Sequence, residues 1–318
     1  MVEIGFFVQQ DNGITESLNQ SLGPAFYQEG ASIAEAIGYD SFWLPDHWLL
    51  AKNRAALDCW SVLTAVAANT HRVKIGSLVT PVTAHSPFLL AKRALALQMI
   101  SKGRLQFGLG AGWHKDEYAA AGLPFDSHRI RLEKLEETIQ FIQRLWKAES
   151  PFDFNGKYYT ASQALLMPHV DPPPLWLGGV SDKLLDLAAK YANGWVGFEI
   201  RCNDLLKKVE YLHDKLDREG RETSELSIGH ATRVVAAKTS REAFDISLRI
   251  GLERDYTAPD LPKALQGHLL VGSFEECAAE LAIYVDAGTQ HLILSPQPSN
   301  RTHELLGAYK DEIVQKIK

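Results

Sequence analysis

An acidic residue and an imidazole stand side by side at Asp46-His47, shortly after the apolar run Ser41–Leu44. A histidine can give or take a proton near neutral pH, and a neighbouring carboxylate can orient its ring or tune its charge. The same dipeptide is also compatible with a plain loop, in which Asp46 caps a turn and His47 is a partly exposed polar residue. Proton transfer at His47 is therefore a hypothesis that the rest of the chain has to support.

A second candidate lies in residues 105–123, LQFGLGAGWHKDEYAAAGL, where an apolar run ends in Gly108, Gly110 and Gly112. A chain without side chains at the end of a strand allows another group to approach its backbone. The spacing G-x-G-x-G differs from the dinucleotide fingerprint G-x-G-x-x-G, and no clean helix pattern follows before about residue 126. We therefore predict a loop beside a planar ligand rather than a dinucleotide turn. The residues that follow could line a pocket or form a solvated helix start: Trp113, His114, Asp116 and Glu117.

Two more segments have the character of strand ends. Gly178-Gly179-Val180-Ser181 precedes the helical pattern Asp182–Tyr191, and bare backbone N–H groups at a helix start can hold a phosphate. The plain alternative is that Ser181 only caps this helix. Ser77-Leu78 lies where another apolar run approaches Pro81, and its residue types alone indicate no more than a strand leaving a sheet.

Composition and motifs argue against several classes of protein. The 318 residues carry a formal net charge of −6, which gives no field to attract nucleic acid or an acidic membrane. The three cysteines are widely spaced, so we expect reduced thiols and a cytoplasmic location. The start MVEIGFFVQQ lacks a basic region, and no apolar run reaches the ~20 residues of a membrane span, so we expect neither a signal peptide nor an anchor. No metal-ligand spacing and no G-x-S-x-G elbow occurs, which argues against a metal site and a serine hydrolase.

Strand-like runs alternate with helical patterns along the whole chain, which predicts a parallel (β/α)8 TIM barrel in a single domain over residues 1–318. Long spacings predict insertions after strands 4 and 7, the first containing a small hairpin or an irregular loop within 152–174. A doubly wound sheet is the competing architecture, but it usually carries its glycine fingerprint in the first strand–helix unit. The predicted strands are Glu3–Val8, Ser41–Leu44, Val73–Val79, Arg104–Gly108, Leu175–Gly178, Gly194–Phe198, Leu226–Val235 and His291–Ser295.

The barrel would bring the candidate residues together, because functional groups in this fold lie at the carboxyl ends of the strands. Asp46-His47 follows the second predicted strand, Ser77-Leu78 ends the third, and the glycine run ends the fourth. Gly178–Ser181 ends the fifth. One pocket at the barrel mouth is therefore expected to contain all of them.

The strand-end segments together resemble the bacterial luciferase-like superfamily of flavin- and deazaflavin-dependent oxidoreductases. The segments that carry the resemblance are SFWLPDHW, RVKIGSLVTP, GRLQFGLGAGWHKDEYAAAGLPF and PPLWLGGVSDKLLDLAAKYANGWVGF, in this order and spacing. The resemblance is nearest to the branch that uses coenzyme F420, because Asp46-His47 stands where many flavin enzymes of the superfamily carry Glu-His.

The resemblance implies where the cofactor would lie. Its ring is expected against Asp46, His47, Ser77 and Leu78, with a cis peptide at Ser77-Leu78 behind it. The cofactor phosphate is assigned to Gly178, Gly179, Val180 and Ser181. Gly110 and Gly112 would let the loop after the fourth strand pass close to the cofactor, with Asp116 nearby.

The chain departs from the sugar-phosphate dehydrogenases of this group at two positions. Trp113 follows the glycine run where those enzymes have glutamate, and Ala51 stands where they have tryptophan. We therefore do not expect glucose 6-phosphate as the substrate. Either Glu117 or Asp116 supplies the missing acid, or the reaction uses no acid there. The substrate pocket is expected to include Gln9, Trp48, Trp113 and His114.

Three functions are compatible with these residues. The first is hydride transfer between F420 and a small organic substrate, with His47 as proton donor or acceptor. The second is an FMN-dependent monooxygenase that receives reduced flavin from a partner reductase. The third is a non-catalytic flavin-binding barrel. The resemblance also implies a homodimer.

Overall fold

Eight parallel strands close into a barrel in the computed structural model of the protein, which describes residues 2–9, 23–49, 56–253 and 269–317. Each strand pairs with the next in sequence, and the eighth pairs with the first. This closed ring confirms the predicted (β/α)8 TIM barrel and excludes the doubly wound sheet, whose edges are open. The barrel strands are Glu3–Phe7, Ser41–Leu44, Lys74–Ser77, Leu105–Gly110, Leu175–Gly178, Gly194–Phe198, Ser227–Ala237 and His291–Pro296.

Helices cover the outside of the barrel. Their starts follow ordinary capping chemistry: the Asp58 carboxylate accepts the Ser61 N–H at 2.8 Å, and Ser273 and Glu276 form a reciprocal capping box. The chain ends in a helical stretch over 302–317 that includes a π turn at Lys310–Val314. The helices are Pro24–Ile37, Cys59–Asn69, Pro87–Ile100, Lys115–Ala120, His128–Lys147, Asp182–Tyr191, Cys202–Arg218, Ser240–Glu253, Phe274–Asp286, Thr302–Tyr309 and Gln315–Ile317.

Large apolar side chains fill the inside of the barrel, so its centre is a packed core. Successive side chains of a strand point to opposite faces, which places every second residue of each strand inside. The Trp176 indole N–H, which is buried in this interior, donates to the Gln106 side-chain oxygen at 2.9 Å. Because the described side chains fill this interior, a ligand would bind at the mouth rather than inside the barrel. The interior cluster consists of Phe7, Trp43, Trp176, Val196, Ala231 and Ile293.

The segment between the fourth and fifth strands contains an antiparallel hairpin, Phe152–Asn155 with Thr160–Ala164. Of the two alternatives predicted within 152–174, a small hairpin or an irregular loop, the structure has the hairpin. The Glu137 carboxylate holds the turn by accepting the backbone N–H groups of residues 157–159 at 2.7–2.9 Å.

The segment after the seventh strand contains a strand that the sequence did not predict. Leu269–Ser273 pairs in parallel with residues 233–237, the last part of the long seventh strand. The seventh strand therefore extends beyond its barrel neighbours toward the mouth. Among the described helices none is long and apolar enough to span a bilayer. The single-domain organisation over 1–318 stays a prediction.

Candidate functional site

His47 and Glu117 lie together at the carboxyl ends of the barrel strands. His47 follows the second strand, and Glu117 lies on the short helix Lys115–Ala120 after the fourth. The ring nitrogen Nδ1 of His47 lies 3.2 and 3.1 Å from the two carboxylate oxygens of Glu117. The Glu117 side chain is 4% exposed and the His47 side chain 18%, so the carboxylate is buried while the ring borders the open mouth.

Glu117 also fixes the backbone that carries the histidine. Its Oε1 accepts the N–H groups of Trp48 at 3.0 Å and Leu49 at 3.1 Å. Burial alone would raise the pKa of Glu117, but the His47 ring and these two amides outweigh it and hold the pKa below its usual value of 4.5. Glu117 is therefore an anion at neutral pH.

This anion selects the protonation of His47. A carboxylate only accepts hydrogen bonds, so Nδ1 of His47 carries a proton. In the neutral ring the other nitrogen, Nε2, is then unprotonated and can act as a base. Protonation of Nε2 gives an imidazolium that the Glu117 carboxylate stabilises, which is the form that can return the proton.

Aromatic rings surround the histidine. The Trp113 indole packs edge-on against the His47 ring with 5.6 Å between centroids, and His114 lies 4.9 Å from Trp113. Trp48 packs against Tyr118 at 5.4 Å. Trp113 is 68% exposed, so a large apolar surface stands beside His47 at the mouth.

The structure separates the two acidic candidates of the short helix. Glu117 is buried against His47, whereas Asp116, one residue earlier, is exposed in the first turn of the helix. Of the two, only Glu117 is positioned to act with His47. Gln9 is half-buried at the end of the first strand, and its side-chain oxygen has no hydrogen-bond partner among the described residues.

Asp46 lies beside His85, a residue that the sequence analysis missed. Its side chain is 2% exposed, and its Oδ2 lies 3.7 Å from Nε2 of His85. His85 follows Pro81 by four residues in the same connection that leaves the third strand. That position at a strand end was the only available signal, and a lone histidine next to Ser86-Pro87 gives little reason to select it.

The third strand is interrupted where the resemblance places the cofactor ring. The strand covers Lys74–Ser77, and a second short piece, Thr80–Pro81, pairs with the fourth strand. The non-proline cis peptide lies at Leu78-Val79, one bond later than the expected Ser77-Leu78 position.

The glycine run makes room for this interruption. A Cβ on Gly108 would lie 1.9 Å from the Ser77 carbonyl oxygen, and one on Gly110 would lie 2.7 Å from a Val79 methyl group. Gly112 has φ +78° and would place its Cβ 2.1 Å from the Tyr118 hydroxyl. The glycines therefore bring protein groups to the mouth directly, and their contact with a cofactor stays a prediction.

Gly108→Ala tests this packing. We expect it to lower the free energy of unfolding by about 1–3 kcal/mol, because the new methyl group displaces the Ser77 carbonyl from a filled interior. Gly307→Ala is the matched control, since its Cβ would meet open space on a helix and is expected to be neutral or stabilising by about 0.5–1 kcal/mol. Urea unfolding measures both. Equal stability of the two variants would contradict the role given to the glycine run.

The end of the fifth strand has the features of an anion site. Gly179 has φ +142°, and its carbonyl accepts the Trp195 indole N–H at 2.8 Å. Ser181 precedes the helix Asp182–Tyr191, but its side chain makes no capping hydrogen bond. The first helical N–H groups and this hydroxyl are thus available to a phosphate. Lys208, which the sequence analysis missed, adds a cation here, with its Nζ 2.6 Å from the Val180 carbonyl.

The described part of the chain brings no three His, Cys, Asp or Glu side chains together as a metal site would require. The groups gathered at the mouth are instead an imidazole–carboxylate pair, a buried carboxylate, aromatic rings and a helix start. They fit an organic cofactor with a flat ring and a phosphate.

Comparisons with known proteins agree with this fold and these segments. The family model described as luciferase-like monooxygenase matches residues 2–291. An F420-dependent glucose-6-phosphate dehydrogenase of Amycolatopsis mediterranei is 24% identical over 94% of this chain and 96% of its own length. One of Beutenbergia cavernae is 28% identical over 90% of this chain and 80% of its own.

Solved structures have the same fold. An F420-dependent secondary alcohol dehydrogenase in complex with an F420-acetone adduct superposes with a TM-score of 0.83 at 20% identity, covering 100% of this chain and 99% of the other. The monooxygenase RslO1 from Streptomyces bottropensis gives 0.80 at 19% identity, covering 99% and 100%. The family match over most of the chain confirms the resemblance: the chain belongs to the luciferase-like monooxygenase family of oxidoreductases.

Proposed function

We propose that the protein transfers a hydride between coenzyme F420 and a small organic substrate, with His47 giving or taking the accompanying proton. The observation that carries this proposal is the His47–Glu117 pair at the barrel mouth, where a buried anion prepares one ring nitrogen for proton transfer. The curated relatives named above are described as F420-dependent dehydrogenases, which supports the choice of cofactor.

Two groups of residues would hold the cofactor. Asp46 and Leu78 would border its ring, with Gly110 and Gly112 on the adjoining loop. Ser77 would lie behind them, since its side chain is fully buried and its hydroxyl donates to the Gly108 carbonyl at 2.8 Å. Gly178, Gly179, Val180 and Ser181 would hold its phosphate, assisted by Lys208. Bound F420 would supply the hydride-carrying ring, and the protein would supply orientation and polarity.

The proton step belongs to His47. In substrate oxidation its unprotonated Nε2 would accept a hydroxyl proton, and the Glu117 carboxylate would stabilise the resulting imidazolium. In reduction the imidazolium would donate that proton to the substrate oxygen. Glu117 would act as a positioning residue in both directions, since its partners are Nδ1 and two backbone amides.

The substrate would have an apolar or planar face. Trp113 presents a mostly exposed indole next to His47, so a substrate at Nε2 of His47 would lie close to this ring. Burying aromatic surface against a substrate is favourable, and offset or edge-on ring contacts add to it. Gln9, Trp48 and His114 would complete the pocket.

An FMN-dependent monooxygenase is the second candidate. It is favoured by the family description and by the superposition with a monooxygenase of the same fold. In that case a separate reductase would supply reduced flavin. A homodimer, which the family resemblance implies, and a cytoplasmic location, which the widely spaced cysteines favour, are further proposals.

Equilibrium titration of the purified protein with F420 and with FMN separates these functions. We expect F420 to bind at least about tenfold more tightly, a difference of about 1.4 kcal/mol, and no oxygen uptake when the reduced complex meets a panel of alcohols and ketones. The panel includes glucose 6-phosphate, which is expected not to react because Trp113 stands where the sugar-phosphate dehydrogenases have glutamate. Preferential FMN binding with substrate-dependent oxygen uptake would refute the proposal in favour of the monooxygenase, and cofactor binding without any turnover would favour the non-catalytic barrel.

A further inference from the structure

Asp46 and His85 face each other with unsatisfied atoms. Oδ2 of Asp46 and Nε2 of His85 are both buried, and neither has a hydrogen-bond partner among the described residues. They lie 3.7 Å apart, with side-chain exposures of 2% and 14%. Buried polar atoms normally have partners, so two orphans aimed at each other indicate an interaction that a small shift would complete.

Arg93 determines which nitrogen of His85 carries the proton. Its Nη1 lies 3.3 Å from Nδ1 of His85. A guanidinium has donors only, so Nδ1 must accept and is unprotonated. The proton of the neutral ring is then on Nε2, which is the atom directed at Asp46. The second tautomer would place two donors against each other at Arg93.

Two other groups near Asp46 in the described part of the chain do not replace this donor. The Cys59 thiol, on the helix after the second strand, donates to the Leu44 carbonyl at 3.4 Å. The Tyr118 hydroxyl, on the short helix, pairs with Thr83 at 2.6 Å. Burial mainly, and the Asp46 carboxylate in addition, raise the pKa values of both groups, so both stay neutral.

We propose that His85 is a positioning residue, neutral and protonated on Nε2, which donates to the Asp46 carboxylate and fixes its orientation at the mouth. Arg93 maintains the tautomer from the protein surface. The mouth then contains two imidazole–carboxylate pairs with different tasks. In one, Glu117 prepares His47 for proton transfer. In the other, His85 prepares Asp46 for contact with the ligand.

The tautomer is tested on the cofactor-free protein. Long-range ¹H–¹⁵N spectra of the histidine rings at pH 7.5 are expected to show His85 as the neutral Nε2–H form, with its signals assigned by their loss in His85→Gln. In Arg93→Leu the same signals are expected to move toward a mixture of tautomers. An Nδ1–H form or a doubly protonated ring in the wild type would overturn the proposal.

The second test asks whether His85 orients Asp46 for contact with F420, and it rests on the proposed function. The measured quantity is the Kd for F420. We expect His85→Leu to weaken binding about tenfold, which corresponds to about 1.4 kcal/mol. His85→Gln places an amide donor near the Nε2 position and is expected to restore affinity to within about twofold, well under one kcal/mol. His71→Leu, at an exposed histidine, is the matched control and is expected to bind as the wild type does.

Two results would overturn this part of the proposal. One is an unchanged Kd in His85→Leu, and the other is equal loss in the Leu and Gln variants with both proteins folded by circular dichroism. If the wild type itself binds no F420, the proposed function fails, and the ring spectra still decide whether the Asp46–His85 pair exists.

Discussion

His47→Ala is expected to slow turnover by about 10²–10⁴-fold, the usual contribution of a positioned general acid or base. The physical reason is that Nε2 of His47 is the nitrogen left for the substrate once Glu117 has engaged Nδ1. F420 affinity is expected to change by less than about threefold, or under about 0.7 kcal/mol, because a partly exposed ring at the edge of the mouth contributes little binding area. The measurements are anaerobic rates of F420 reduction and the Kd for F420.

The control for this variant is His71→Ala, which removes an exposed imidazole from the surface. It is expected to retain wild-type rates. A His47→Ala enzyme with full activity would remove His47 from the mechanism. Loss of F420 binding together with activity would show that the ring holds the cofactor rather than the proton.

The second large effect is expected at Glu117. Two substitutions there distinguish its effect on the free energy of unfolding from its effect on turnover. Glu117→Ala leaves two backbone amides and an imidazole without their acceptor, and each unsatisfied buried donor costs about 1–3 kcal/mol, so we expect a loss of about 3 kcal/mol in unfolding free energy. Glu117→Gln keeps an oxygen for the amides but can turn its NH₂ toward His47. Nδ1 must then accept, the ring proton moves to Nε2, and turnover is expected to fall by about 10²-fold at near-normal stability.

Urea unfolding measures the stability of the two Glu117 variants, and anaerobic rates measure their turnover. Asp116→Asn is the control because Asp116 is exposed on the same helix. An active Glu117→Gln enzyme would contradict the tautomer argument. An Ala variant as stable as the wild type would contradict the account of the two amides.

The contribution of Glu117 to the free energy of unfolding is expected to decrease as the pH is lowered. The pKa of Glu117 is lowered in the folded protein from its usual 4.5, so folding favours the ionised form. The contribution is therefore complete above that usual value and is lost as the pH falls through the lower pKa of the folded state. The stability difference between the wild type and Glu117→Ala should be constant near neutral pH and shrink in acid.

The barrel could be predicted because its strands are continuous apolar runs separated by helical patterns. The bounds of Ser41–Leu44, Leu175–Gly178 and Gly194–Phe198 were predicted as the structure has them. The strand Leu269–Ser273 was missed because it is a short addition to the end of the seventh strand, with no place in the eightfold alternation. The strand ends in turn indicated the end of the barrel at which His47 and Asp46 lie.

The partners of these residues could not be predicted. The helix Lys115–Ala120 has six residues, too few to show which face is buried, so Asp116 and Glu117 were equivalent in the sequence. His85 and Lys208 lie 3.7 and 2.6 Å from groups far away in the sequence, and no local pattern marks either residue. The cis peptide was misplaced by one bond because the resemblance fixes a segment and not its register.

At the glycine run a close approach was predicted correctly, but the group that approaches is different from the one expected. Bare backbone at Gly108, Gly110 and Gly112 indicated a close approach, and the approach exists. The approaching groups are the Ser77 carbonyl, the Val79 side chain and the Tyr118 hydroxyl. Sequence alone cannot tell a ligand from another part of the same chain as the group that requires a glycine.

The central claim is that this mouth binds a deazaflavin beside His47. The most direct test is the absorbance and fluorescence spectrum of the cofactor released from the protein after purification from its native host. We expect the spectrum of F420. The spectrum of FMN, bound in stoichiometric amount, would contradict it.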